Sequence, residues 1–350
     1  MRFNVRILVV VALCALVALS FGCAKKTPPP SPNTTVGGNN TTNPGSTTGK
    51  PWVVGMSQCT EDEPWRVKMD DDLKKFAADH PVEIKLEVKV AEDKVETQQA
   101  QVREFITEGV DCIIISPKES QPLTAPVGEA MDKGIPVIVL DRAITGDKYT
   151  CFIGGDNVMI GEQAGKFVDK ILKGKGKVVE LMGLQTSIPG QDRHNGFLKG
   201  LGKDYGKGKI EIIFNPDCHW KETDAQNEMK SALSRFPQID AVYGHNDPSA
   251  HGAYTAAQQE GKGREKTIKF IGIDGNPTEG MKYVKDGVLT ATFLYPNGTK
   301  EAVDMVLKLK AGEKVPKKIV LGTAEFTKDT IDTGGRIIPP PAAAPKPAGG

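Results

Sequence analysis

Four apolar runs in the sequence stop at polar residues: VVGM at Ser57-Gln58, IPVIVL at Asp141-Arg142, AVYGH at Asn246-Asp247 and FIGI at Asp274. Arg193 lies downstream of a fifth run, VVELMG, and Trp65-Arg66 follows the polar loop after Ser57. Together they supply carboxylates, a carboxamide, guanidinium groups and an indole. That mixture suits a neutral polyol. A carboxylate accepts from two adjacent hydroxyls, Arg and Asn donate to ring and hydroxyl oxygens, and an aromatic face covers the C–H side of a sugar. Each hydrogen bond to a charged group contributes roughly 1.5–3 kcal/mol in a dry cleft. Five or six of them, after the costs of closure, reach micromolar affinity, about −8 kcal/mol. At any single position a second reading stays open, because Asp and Asn after a strand also cap the next helix, and Asn246-Asp247-Pro248 has the form of a helix N-terminus.

No set of residues points to catalysis. Neither a Gly-x-Ser-x-Gly elbow nor a Gly-x4-Gly-Lys-Ser/Thr phosphate loop is present, and Gly174-Lys175-Gly176-Lys177 reads as a helix stop before a strand. The adjacent pair Cys218-His219 has no second pair at zinc spacing. No catalytic residue, cofactor or metal is therefore expected.

The polar strand ends need a scaffold that brings them together. From Trp52 onward, short β-rich runs alternate with helical periodicity. Strands are expected at 51–57, 82–88, 111–116, 135–141, 176–183, 209–215, 239–245, 268–274 and 288–295. Helices are expected at 64–79, 92–108, 122–133, 157–173, 191–200, 221–235, 248–260, 278–285 and 298–310. This spacing means parallel βαβ units. Runs such as IIIS and VIVL are apolar on successive residues, which fits sheets covered on both faces. The fold class is thus α/β, with two doubly wound, Rossmann-like parallel-sheet lobes on either side of about residue 155. In such sheets ligands bind outside the carboxyl ends of the strands.

The chain has 350 residues, 39% of them hydrophobic and 25% charged, enough for two cores. Its net charge is +1, and removing a leader that carries Arg2 and Arg6 leaves −1, without the basic surplus of a nucleic-acid binder. Met1 to Gly22 reads as a secretion signal, with an apolar stretch from Ile7 to Leu19 too short to span a bilayer. It ends in Leu19-Ser20-Phe21-Gly22-Cys23, which resembles a bacterial lipoprotein signal and implies lipidation of Cys23 and a membrane anchor. Residues 23–50 are a Pro-, Thr-, Asn- and Gly-rich tether, and 336–350 a tail that is almost wholly Pro, Ala and Gly from Pro339. Export permits a Cys59–Cys151 disulfide, whereas Cys112 within an apolar strand reads as a small buried hydrophobe.

The ordered set VVGMSQ…EPWR (53–66), IPVIVLDR (135–142), GGDN (154–157), QDRHNGF (191–197), AVYGHND (241–247) and FIGIDGNP (270–277) resembles the bacterial periplasmic sugar-binding proteins of the ribose and galactofuranose type, which serve ABC transporters. The resemblance spans about residues 51–325. It implies the type I periplasmic binding protein fold, in which the chain crosses three times between two lobes joined by a hinge: here about 51–156 with 296–320, and 157–295 with 321–335. It implies that Ser57, Trp65, Arg66, Asp141 and Arg142 face a sugar from the first lobe, and Arg193, Trp220, Asn246 and Asp274 from the second. Trp220 matches the family's stacking aromatic, with a core residue as its alternative. Two departures, Glu63 in place of an asparagine and no glutamine near Leu294 and Tyr295, argue against ribose itself. The implied function is a monomeric, membrane-anchored receptor, in the periplasm or at the cell surface, that delivers a monosaccharide to an ABC permease. Its rivals are a sensor feeding a chemoreceptor or kinase, and a receptor for a non-sugar such as an autoinducer or polyol.

Overall fold

The computed structural model describes residues 49–341. The expected signal, Cys23, most of the tether and the end of the tail lie outside the described residues. In chain order the first elements are β1 (Trp52–Gln58), α1 (Pro64–Ala78), β2 (Ile84–Val90), α2 (Val95–Glu108), β3 (Cys112–Ser116), α3 (Ser120–Asp132), β4 (Val137–Leu140) and β5 (Cys151–Gly155). There follow α4 (Asn157–Leu172), β6 (Gly176–Leu181), α5 (Ile188–Leu201), β7 (Ile210–Phe214), α6 (Glu222–Arg235), β8 (Ala241–Gly244), α7 (Asp247–Gln259), β9 (Lys269–Asp274), α8 (Gly280–Lys285) and β10 (Ala291–Leu294). The last elements among the described residues are α9 (Thr299–Lys310), β11 (Lys318–Leu321), β12 (Thr323–Thr327) and β13 (Arg336–Ile338).

The strands form two sheets, ordered β11-β5-β4-β3-β1-β2 and β13-β12-β10-β9-β8-β6-β7. Every pairing is parallel except β10 with β12 and β12 with β13. All residues of β3 (CIIIS) and β4 (VIVL) are buried, as their unbroken apolar runs require of strands covered on both faces. Each such side chain removed from water contributes roughly 1.5–3 kcal/mol. The chain passes from the first sheet to the second after β5, returns through α9, which packs on α1 and β4, to add β11, and crosses a third time into β12.

Four strands escape the sequence pattern: β5, β11, β12 and β13. They are three to five residues long and lack either alternation or a long apolar run, so their pairing is set by neighbours distant in the chain. Two boundaries shift as a result. Leu321 belongs to β11 of the first sheet, paired with Gly155, and Arg336–Ile338, assigned by sequence to the tail, pairs with β12. The permitted Cys59–Cys151 disulfide is not formed; Cys59, Cys112, Cys151 and Cys218 are buried free thiols.

Helices α4 and α5 pack unusually closely. Gly161 and Gly165 face Gly196 and Gly200, and a Cβ at any of the four would collide with backbone of the opposite helix. This contact fixes α5, and with it Arg193, against the second sheet. No helix among the described residues is long and apolar enough to cross a membrane.

Candidate functional site

The carboxyl ends of β1 and β4 in the first sheet and β8, β9 and β10 in the second converge on one cavity. It is lined by Glu63, Trp65, Arg66, Asp141, Arg142, Pro189, Arg193, Trp220, Asn246, Asp274 and Tyr295. A second groove between the end of α1 and β2 is mainly apolar, lined by Pro51, Ala77, Pro81, Ile84 and Leu86 with Lys50, Lys74 and Lys85, and carries no carboxylate or carboxamide.

The first-sheet side is built around Asp141. Its Oδ2 accepts from Arg66 Nη2 at 2.9 Å and from Ser116 Oγ at 3.2 Å, and its Oδ1 from the Tyr295 hydroxyl at 2.7 Å. Burial alone would push this carboxyl up; Arg66 and Arg142 beside it, with the Tyr295 hydrogen bond, outweigh burial and hold it below the usual carboxylate range. Arg66 also donates to Gln58 Oε1 and Ser116 Oγ, so the guanidinium is fixed by the ends of three strands. Arg142 donates to the Lys118 carbonyl at 3.0 Å and lies 3.8 Å from Glu63. Trp65 donates its indole N–H to the Tyr295 carbonyl at 2.8 Å, and the two rings lie 5.1 Å apart.

On the second side, Arg193 donates from Nε to Asn157 Oδ1 at 2.9 Å and from Nη1 to the His245 carbonyl. Its guanidinium lies over the faces of Tyr295 and Trp220, at 4.5 and 5.1 Å from their centroids. Behind it, fully buried Glu180 accepts from His194 Nδ1 at 2.9 Å and His245 Nε2 at 3.0 Å. Asn246 does cap α7, accepting from the Ser249 N–H at 3.0 Å, while its amide donates to the Trp220 carbonyl at 2.8 Å. The capping reading of this residue holds, and its second amide hydrogen is used by neither contact. Asp247, next in sequence, does not line the cavity. It accepts from Thr292 Oγ1 at 2.6 Å and the Gly275 N–H at 2.8 Å, anchoring the turn that follows Asp274. Burial pushes its carboxyl up to about 7, and burial with the nearby Asp247 charge pushes Asp274 well up.

Backbone strain coincides with the cavity. Of the non-glycine residues with positive φ, Asp141 (68°), Trp220 (68°) and Asp274 (135°) all line it. Each costs about 1–3 kcal/mol, and the surrounding packing maintains it.

Eight of the nine residues singled out by sequence therefore meet. The ninth, Ser57, does not line the cavity: its hydroxyl donates to Gln101 at 2.9 Å, because β1 turns this side chain toward α2. Pro189 and Tyr295 had no assigned role in the sequence reading, and Glu63 stood there only as a departure. Tyr295 was findable by the strand-end rule, since it follows β10 directly and Leu294 is in register with Asp274. The lining holds the guanidinium groups of Arg66, Arg142 and Arg193 beside the carboxyl groups of Glu63, Asp141 and Asp274, a mixture of both signs that suits a neutral ligand better than a phosphate or a dication. No group of three or more His, Cys, Asp or Glu side chains is placed to hold a metal among the described residues.

The model of the periplasmic binding protein domain family matches residues 54–314. The chain belongs to that family. Among relatives of this periplasmic binding protein, the ribose import binding protein of Bacillus subtilis is 30% identical over 77% of the chain and 85% of the relative. The galactofuranose-binding protein of Escherichia coli is 31% identical over 80% and 87%. Among solved structures, a fructose-binding periplasmic domain of a hybrid two-component system is 40% identical, with a TM-score of 0.76 over 81% of this chain and 92% of that one. The resemblance read from the motifs thus holds for fold and family.

Proposed function

We propose that this periplasmic binding protein captures one neutral monosaccharide between two lobes and delivers it to an ABC permease, without chemistry of its own. The observation that carries the reading is the cavity at which the strand ends of two sheets bring together guanidinium and carboxyl groups of both signs and the indoles of Trp65 and Trp220. Strands from residues 51–156 and 296–321 make one lobe and those from 157–295 and 322–338 the other. Ligand stabilises the closed form, which the permease distinguishes from the open one. The segment Leu19–Cys23 supports a lipid anchor, with the signal at 1–22 removed and residues 23–50 as a tether outside the membrane. Cys23→Ser is expected to release the protein from membranes, and retention would dismiss the anchor.

The test of ligand class is a thermal-shift screen against pentoses, hexoses, inositols, polyols and autoinducers. A ligand at 100 times its dissociation constant adds about 2.7 kcal/mol of stability. A shift with one sugar supports the reading; silence from all sugars with a shift from another class overturns the ligand. A second reading, a sensor feeding a signalling partner, draws support from the 40% identity to a two-component-system domain. Loss of labelled-sugar uptake on deletion of the gene favours transport, and loss of a transcriptional response with uptake intact favours sensing.

A further inference from the structure

The two aspartates of the cavity differ in how much of their acceptor capacity the protein itself consumes. A carboxylate offers about four lone-pair sites. Three of those on Asp141 are taken: one by Tyr295 on Oδ1 and two by Arg66 and Ser116 on Oδ2. Asp274 is 6% exposed and lines the same cavity, yet no side chain or backbone N–H among the described residues donates to its carboxylate. Without donors this carboxyl is costly to ionise, in keeping with the way burial pushes it up, and a pair of ligand hydroxyls donating to it offsets that cost.

Tyr295 sets this asymmetry, and its own position is fixed from both sides. It follows β10 where the chain crosses back toward the first sheet. Trp65 holds its carbonyl, Arg193 covers its ring, and Asn157 Nδ2 donates to its hydroxyl oxygen at 3.3 Å, directing the O–H toward Asp141.

We propose that Tyr295 is a specificity-determining residue: by occupying Asp141 Oδ1 it leaves that carboxylate a single position for ligand, so that recognition of two adjacent hydroxyls falls to Asp274. The inference rests on the sugar-binding reading and adds to it. The ligand presents a vicinal diol to the second lobe and one isolated hydroxyl to Asp141.

Calorimetric titration of the wild type, Tyr295→Phe and Asp274→Asn with D-fructose, D-allose and D-galactose, and with the monodeoxy analogues of whichever binds, tests this. In the wild type, deleting either of two adjacent hydroxyls is expected to weaken binding about tenfold or more, and Asp274→Asn to flatten that dependence. Tyr295→Phe frees one Asp141 acceptor, so a hydroxyl whose deletion the wild type tolerates becomes worth about tenfold. Identical deoxy profiles in Tyr295→Phe and wild type would overturn the inference while the sugar reading stands. If Tyr295→Phe does not fold, an Asp274→Asn profile that keeps the dependence on both adjacent hydroxyls overturns it equally. If none of the three binds, the titrations use the sugar that the thermal-shift screen identifies, and silence from every sugar in that screen removes both.

Discussion

Arg66 and Asp141 form a buried ion pair at 2.9 Å, joining the first turn of α1 to the end of β4 in the wall of the cavity. Each is therefore both a lining group and a structural one. Asp141 is not a free bidentate acceptor awaiting a ligand. Its ionised form is what keeps a buried guanidinium compensated.

Asp141→Ala should consequently lower stability as well as affinity. Removing one partner of a buried pair typically costs about 3–5 kcal/mol, because the other charge is left unpaired. We expect urea unfolding of the ligand-free protein to register a loss of that size, with Asp141→Asn losing less. A ligand-free stability equal to that of wild type would mean that Arg66 is adequately compensated by Glu63 at 3.5 Å.

The indole of Trp220 rests directly on Gly183, and a Cβ at Gly183 would overlap the ring. Gly183→Ala thus displaces the aromatic without deleting it. The expected result is at least a tenfold loss of affinity for the sugar that binds wild type, with a smaller change in ligand-free melting temperature than Trp220→Ala produces. Unchanged affinity would assign Trp220 to the core and not to stacking.

Asp247 gives a signed pH dependence. Its folded carboxyl lies near 7, raised chiefly by burial, against an ordinary value of 3.8. Between about 4 and about 7 the folded state holds a proton that the unfolded state has lost. Stability is therefore greatest at the acid end of that window and falls as pH rises through it. Asp247→Asn should flatten the slope of melting temperature against pH, whatever it does to the absolute value; a slope identical to wild type would contradict the assignment.

The thiols offer a simpler check. Cys59, Cys112, Cys151 and Cys218 are free and buried, and burial raises each of them. Reductant should leave the melting temperature unchanged and thiol reagents should react only after unfolding. A drop of several degrees on reduction would reveal a disulfide.

Much of this site was legible from local chemistry. An apolar run ending in Asp141-Arg142, in Asn246 or in Asp274 states both that a buried parallel strand stops there and that a polar group is carried to its carboxyl end. Trp65 and Arg66 were readable for a related reason, since Pro64 starts a helix at the mouth of the same sheet. Ser57 was misplaced because β-strand alternation sends neighbouring residues to opposite faces. Which face meets the cavity depends on α2, whose Gln101 claims the hydroxyl.

By itself, the sequence determined the α/β class, two sheets, and seven of the residues that line the cavity, because period, burial and strand-end polarity are properties of short segments; Trp220 came only with the resemblance to a family. Only the tertiary structure decided the short strands β5, β11, β12 and β13, the sheet to which Leu321 and Arg336–Ile338 belong, and the contacts of Tyr295. Those depend on pairings between residues far apart in the chain, such as Tyr295 with Asp141 across 154 positions, and no local pattern encodes which distant partner a hydroxyl will find.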